Sequence, residues 1–277
     1  MSRNPRTNAE PIWLALNIGN SRLHWAWFLG DSLQSAWHTP HLNEAESHCL
    51  QEITSWGQRC LPAALLEQLS CKPEAPPELW VASVVSAQAA LWQDYPEVKM
   101  ITLEQVPLQH TYPTLGVDRA LAVWGAGVIQ GWPVLVIDAG TALTFTGAEA
   151  DHRLVGGAIL PGLGLSVRSL AQSTAALPRI ELPHTLPSRW AITTAEAITS
   201  GIVYTTLAGT IDFIEAWWQE FPEGWIVLTG GDHAVLFNYL TAGSTRTACS
   251  PDWMARLIRD PHLIFWGLRS LRQLACA

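Results

Sequence analysis

The sequence predicts an α/β fold assembled from two related halves, and three observations carry that expectation. An apolar run, Ile12 to Leu16, leads through the turn Gly19-Asn20-Ser21 into the aromatic and branched run Leu23 to Leu29, the pattern of a β-hairpin. The same order of strand, polar–glycine–hydroxyl turn and strand returns around Asp138-Ala139-Gly140-Thr141, 121 positions after Asn17. Each meander is followed by helical stretches and short apolar strands, as in a mixed α/β protein. The division between the halves is expected near Gly131 to Pro133, giving residues 1–131 and 132–277. Three hairpin-linked opening strands disfavour a simple Rossmann fold, which begins β-α-β.

In the first half a second turn, Gly30-Asp31-Ser32, leads to a short strand from Leu33 to Trp37. Residues 43–57 and 62–70 read as helical, and Cys71 to Pro77 as a loop. A buried strand from Leu79 to Val85, a helix from Ala87 to Tyr95 and a strand from Val98 to Leu103 complete the half. Gly116-Val117-Asp118-Arg119 then opens a small-residue helix, Ala120 to Val128, with the Asp118 carboxylate near its positive end.

The second half runs through strands at Val134 to Ile137, Leu143 to Gly147 and Arg153 to Leu160, closed by Pro161-Gly162. A helix from Leu163 to Ser173 and a long one from Thr194 to Trp218 follow. A strand from Trp225 to Leu228 then ends in Thr229-Gly230-Gly231-Asp232 before a short helix, and the chain finishes in a helix from Phe265 to Leu274.

Composition narrows the function. With 277 residues, 48% apolar and 14% charged, the chain has ample material for a core and cannot be intrinsically disordered. A net charge of −8 without a basic run argues against nucleic acid or an anionic membrane as partner. The five-residue apolar run after a polar N-terminus is too short for a secretory signal, and Val134 to Phe145 is broken by Asp138 and Gly140. Five cysteines, odd in number and with no C-x-x-C pair, read as reduced and mostly buried thiols of a cytoplasmic protein. The 15 tryptophans read as core or subunit-contact residues, and His38 and His41 flank Pro40 in a loop without a metal-ligand pattern. Lys72 and Lys99 are the only lysines and neither follows a glycine loop, so nucleotide chemistry here would proceed without a Walker lysine.

Each meander offers a polar side chain, a glycine and a hydroxyl at a tight hairpin tip. Glycine permits close backbone approach, and successive N–H groups with a Ser or Thr hydroxyl cradle phosphate oxygens. One such turn is ordinary hairpin chemistry, whereas two in register point to a phosphate clamp. Thr229-Gly230-Gly231-Asp232 would admit a base or ribose against its glycines, or serve only as a capped β–α connection. Gly162-Leu163-Gly164 lacks the third glycine of a dinucleotide fingerprint. Asp118 is the general-base candidate for an alcohol attacking a γ-phosphate, with Arg119 able to neutralise a substrate anion or to pair with Asp118.

Taken together the motifs resemble the type III pantothenate kinases, members of the acetate and sugar kinase/Hsc70/actin superfamily. The matching residues are Asn17-Ile18-Gly19-Asn20-Ser21, Tyr112-Pro113, Leu115-Gly116-Val117-Asp118-Arg119, Asp138-Ala139-Gly140-Thr141-Ala142 and Gly156-Gly157 with Ile159. Further on come Pro161-Gly162, Thr174-Ala175-Ala176-Leu177-Pro178, Thr194 with Ala197-Ile198 and Ser200-Gly201, and Thr229-Gly230-Gly231. The resemblance implies two tandem ribonuclease H-like (actin-like ATPase) domains with a cleft between them. It also implies ATP-dependent phosphorylation of the pantothenate 4′-hydroxyl, the first step towards coenzyme A.

By the same resemblance Asn17, Ile18, Gly19, Asn20, Ser21, Arg22, Leu23 and His24 would hold ATP phosphates, joined by Thr141. Asp138 would bind a monovalent cation, potassium or ammonium, with magnesium accompanying ATP, and Asp118 would accept the proton. Gly116, Val117, Asp118 and Arg119 would line the pantothenate pocket, with Thr194 and, in place of the family's pocket tyrosine, Tyr112. A homodimer with the pocket near its interface is implied as well. Where the family carries Asp this chain has Asn17, which keeps an acceptor oxygen but loses a charge. The residues themselves leave open a non-catalytic binding protein of the same fold, another small-molecule kinase, or a phosphatase.

Overall fold

The computed structural model describes residues 10–42, 67, 77–173, 177–178, 180–244 and 252–276. The helices expected at 43–57 and 62–70, apart from Glu67, fall outside the described residues, as do Cys49, Cys60, Cys71 and Cys249. Cys276, expected with the other thiols to be mostly buried, is exposed and free. The chain forms two compact units, one of Met1–Val106, Gly116–Asp118 and Leu271–Ala277, the other of Pro107–Leu115 and Arg119–Ser270.

The first unit holds a five-stranded sheet in the order β3-β2-β1-β4-β5. Its strands are β1 (Ile12–Ile18), β2 (Leu23–Leu29), β3 (Ser32–Thr39), β4 (Glu78–Ser83) and β5 (Val98–Ile101). The first three form an antiparallel meander, while β4 joins β1 in parallel with Asn17 opposite Ala82. Tryptophan dominates the interior: Trp25 stacks on Trp37 with centroids 6.0 Å apart and meets the edge of Trp92 at 5.2 Å. Trp13, Trp25 and Trp92 are fully buried, so the aromatic bulk of the first meander is spent on its own core. The helix expected from Ala87 to Tyr95 is shorter, α1 (Ser86–Ala90), because the following turns drive Trp92 and Tyr95 into that core.

The second unit repeats the plan. Its sheet runs β10-β9-β6-β7-β8, again an antiparallel meander with two parallel strands added on the side of its first strand. The strands are β6 (Val134–Ala139), β7 (Ala142–Ala148), β8 (Leu154–Pro161), β9 (Trp225–Thr229) and β10 (Leu257–Arg259). The duplication expected from the two meanders is therefore present as the same strand order in both sheets. The expected division near residues 131–133 is where the second sheet begins, while most of the helix before it groups with the second unit.

Helices of the second unit are α2 (Val117–Gln130, begun in the first unit), α3 (Leu163–Ser173), α4 (Thr194–Glu220) and α5 (His233–Ser244). A terminal helix, α6 (Leu263–Cys276), returns to the first unit at Leu271. Val203, Leu207, Ile214 and Trp217 of α4 are buried against Ile137, Phe145, Ile226 and Leu228 of the sheet. That burial explains how a 27-residue apolar helix belongs to a packed core. Gly125 and Gly267 lie where α2 and α6 touch backbone to backbone, and a Cβ at either would strike the opposite helix. The three-residue β10 is too short to leave an alternating pattern in the sequence.

Candidate active site

In the first unit Asn17 occupies the penultimate position of β1, between His24 of β2 and Ala82 of β4. It is 5% exposed, and its Oδ1 is a buried acceptor without a hydrogen-bond partner among the described residues. A buried carbonyl oxygen left unpaired costs about 1–3 kcal/mol, so this atom awaits a donor. The tip after it is closed by the Gly19 N–H donating to the Arg22 carbonyl at 3.1 Å, with Asn20, Ser21 and Arg22 exposed. Ile18 and Leu23, named with the phosphate-binding run, are fully buried and have only backbone atoms to offer a ligand.

His24 lies beside Gly19 and faces His38 across the strands, the rings 6.4 Å apart. Its imidazole is held below the ordinary value, first by burial and then by the nearby His38 and Arg22, although part of its surface stays open to solvent. Neutral at physiological pH, it adds no charge to the tip.

The segment Gly116–Asp118 belongs to this same unit. The Val84 N–H donates to the Ile18 carbonyl at 3.1 Å, one residue beyond Asn17, and the Val84 side chain packs against position 116. A Cβ on Gly116 would crowd the Asp118 carboxylate as well, so any larger residue there would shift that side chain. Asp118 stands in the first turn of α2, where unpaired N–H dipoles favour negative charge. The base of the hairpin and the Asp118 carboxylate are thus linked through Val84 and Gly116. Val117 is 8% exposed, its side chain turned to the interior.

In the second unit Arg119 is spread over three acceptors. Its Nε donates to Thr146 Oγ1 at 3.0 Å, Nη1 to the Tyr112 hydroxyl at 3.0 Å and Nη2 to the Phe145 carbonyl at 2.9 Å. Gly157 lies directly over this guanidinium, and any side chain there would strike both Arg119 and the Phe145 carbonyl. Tyr112 is 38% exposed, while Thr194 opens α4 in an exposed position that none of these contacts reaches.

Three motifs of the second unit converge around Asp138, the penultimate residue of β6. The Gly140 N–H donates to Ala142 and that of Gly162 to the Thr141 carbonyl, both at 3.0 Å, which seats Pro161-Gly162 on the β6–β7 turn. Gly230, at φ +87°, packs against the Asp138 carboxylate and the Ala139 backbone. The Asp232 N–H donates to the Ala139 carbonyl at 2.8 Å. Among the described residues no three His, Cys, Asp or Glu side chains cluster as metal ligands. A cation at Asp138 would be held by one carboxylate with carbonyls and water, the chemistry of a hard, loosely held ion.

Beside these turns a cavity of about 450 Å³ is lined by Leu163, Val167, Arg168, His184, Asp232 and Val235. The size and the mix of apolar walls with a few polar groups suit a small-molecule moiety. Burial raises the Asp232 carboxyl above its ordinary value, against the opposing pull of Arg168 and His233. Arg168 and His184 carry no sequence motif, and only the folding of α3 and residues 180–184 around the Gly230 turn brings them together.

Comparison with known proteins decides between the readings left open by the residues. The sequence profile of the type III pantothenate kinases matches residues 13–217. The chain belongs to the type III pantothenate kinase family. A curated family member from Nostoc sp. is 48% identical over 98% of both chains. Among solved structures, a Campylobacter jejuni protein described under the Baf family of transcriptional activators superposes with a TM-score of 0.58 at 17% identity, covering 95% of this chain and 98% of its own. A Sinorhizobium meliloti protein described as a 2-dehydro-3-deoxygalactonokinase gives 0.53 at 10% identity, covering 95% and 96%. At those identities the two structures speak for the fold alone, which is the actin-like kinase fold expected from the sequence.

Proposed function

We propose that the protein transfers the γ-phosphoryl group of ATP to the 4′-hydroxyl of pantothenate, yielding ADP and 4′-phosphopantothenate, the first step of coenzyme A biosynthesis. The oxygen of the hydroxyl attacks the γ-phosphorus, the bond to the bridging oxygen of ADP breaks, and Asp118 takes the hydroxyl proton. The observation that carries this reading is the continuity of the Asn17–Gly19 hairpin base with Asp118 through Val84 and Gly116 in one compact unit.

Backbone N–H groups at Asn20 to Arg22, with the Asn20 and Ser21 side chains, take the phosphates. His24 flanks the glycine, and Thr141 contributes its hydroxyl. Magnesium arriving with ATP neutralises phosphate charge, and the Oδ1 of Asn17, unpartnered among the described residues, fits a donor such as a water on that ion. Asp138 is the residue for a monovalent cation, potassium or ammonium. The cavity between α3, α5 and Asp232 suits the nucleoside. Arg119, fixed by Tyr112, Thr146 and the Phe145 carbonyl, presents positive charge suited to the pantothenate carboxylate.

A cytoplasmic homodimer is part of the proposal. The segment before α4 is anchored by Ser200 to the Arg189 carbonyl and by Tyr204 to the Pro187 carbonyl, yet Trp190 and Ile192 are 89% and 102% exposed. Fixed backbone with fully exposed large apolar side chains suits a second copy of the chain, and the exposed Thr194 then serves a pocket near that contact.

The test is product identification. The protein is incubated with ATP, magnesium and potassium against a panel of small alcohols and acids including pantothenate, following ADP release and product mass. Turnover confined to pantothenate supports the proposal, and turnover with another acceptor or with water alone removes it. Sedimentation of the wild type and Trp190→Ser tests the dimer, which the substitution should weaken.

A further inference from the structure

We infer that His41 is a positioning residue for ATP, a latch that fixes the phosphate-binding hairpin from behind. The inference rests on the proposed role of the hairpin. His41 Nε2 lies 2.8 Å from the Gly19 carbonyl oxygen. A carbonyl can only accept, so the ring nitrogen carries the proton and donates.

The latch is mounted on a stiff support. On one side Pro40 separates His41 from Thr39, the last residue of β3, whose hydroxyl accepts from Trp25 Nε1 at 3.1 Å. On the other side Leu42 is 6% exposed and gripped at both backbone groups by one side chain. The Leu42 N–H donates to Gln88 Oε1 at 3.1 Å, and Gln88 Nε2 donates to the Leu42 carbonyl at 3.0 Å. Gln88 sits on α1, which is tied to the end of β4 by the Ser83 hydroxyl turn at Val85. The chain around His41 is thus tied to β2 through Thr39 and to α1 through Leu42, and the imidazole holds the peptide between Gly19 and Asn20.

That peptide is the one whose orientation matters. Its carbonyl is taken by His41, so its N–H, on Asn20, points the opposite way, the direction in which a tip binding anions needs its donors. Without the latch the Gly19 carbonyl loses the His41 donor, and the peptide is freer to turn. Ordering it again on binding would weaken affinity for the phosphates and leave the acceptor alcohol unaffected.

The experiment compares wild type with His41→Ala, His41→Gln and Gly19→Ala by steady-state kinetics against ATP and pantothenate, with melting temperatures. Glutamine places an amide N–H2 where the imidazole Nε2 stood. Gly19→Ala adds a methyl that has room within the chain, its nearest atoms being 3.5 Å away, so it obstructs only what approaches from outside. The expected result is a rise of about three- to tenfold in KM for ATP in His41→Ala, with KM for pantothenate within about twofold. His41→Gln returns to within about twofold of wild type, and Gly19→Ala raises KM for ATP with its melting temperature unchanged. If Gly19→Ala raises KM for ATP and His41→Ala does not, the latch is idle and the inference alone fails. If neither variant changes KM for ATP, the hairpin is not the phosphate site, and both readings fall. A rise in both KM values that glutamine does not restore makes His41 a general structural support and also overturns the inference.

Discussion

Arg119 Nη1 donates to the Tyr112 hydroxyl at 3.0 Å, joining two residues seven positions apart in the chain into one polar group. Nε donates to Thr146 Oγ1 and Nη2 to the Phe145 carbonyl, so the plane of the group is fixed before any ligand arrives. Lysine, a point charge on a flexible stem, cannot serve three acceptors in those directions. Arg119→Lys is therefore expected to raise KM for pantothenate at least about tenfold with little change in KM for ATP, as steady-state kinetics would show. Equal weakening of both substrates would contradict a role confined to the acceptor.

Asn17 supplies the second prediction. Its buried Oδ1 has no partner among the described residues, and the amide carries no charge. Asn17→Asp would put a carboxylate at that point, and the variant should need less magnesium for half-maximal rate and show a lower KM for ATP. Titration of activity against magnesium checks this, and an unchanged dependence would mean that the site lies elsewhere.

Gly230 is the third. At φ +87° it lies against Asp138 and the Ala139 backbone, so Gly230→Ala carries both backbone strain and a steric conflict. A loss of about 2 kcal/mol of stability is expected from such a change, measurable by urea unfolding. Because the conflict displaces the Asp138 carboxylate, activation by potassium should weaken in the same variant.

The fourth concerns acid. Glu78 binds Lys99 Nζ and Arg272 Nε, each at 2.8 Å, tying β4 to β5 and to the last turns of α6. Burial pushes the Glu78 carboxyl up, but the hydrogen bonds from Lys99 and Arg272 outweigh it and hold the value below the usual carboxylate range. With the folded value depressed, the stabilisation is complete above the unfolded value and disappears as pH falls through the folded one. Glu78→Gln should cost about 1–2 kcal/mol at neutral pH, and melting curves of variant and wild type should converge in acid. A constant gap across the titration would rule this out.

The meanders were readable because short apolar runs and the glycine turns between them are local, and the duplication because the same turn chemistry recurs at Asn17 and Asp138. The short α1 and β10 were not readable, since Trp92 and Tyr95 follow the demands of the core and three residues carry no period. Among site residues, those in contiguous runs such as Gly116–Arg119 stood out. Thr146, Arg168 and His184 did not, because their meaning comes only from the residues that folding places beside them. His41 was visible as a loop residue, but nothing in its neighbourhood announces the Gly19 carbonyl 22 positions away. Sequence could also not distinguish the roles of side chain and backbone within a run: Ile18, Leu23 and Val117 belong to the core.

The most direct measurement is the turnover number of Asp118→Asn with ATP, pantothenate, magnesium and potassium, beside its circular dichroism spectrum. Asparagine preserves the shape of the first turn of α2 but cannot accept the proton. The account predicts an unchanged spectrum with kcat reduced by about 10²- to 10⁴-fold. A variant that folds normally and still makes 4′-phosphopantothenate at the wild-type rate would contradict it.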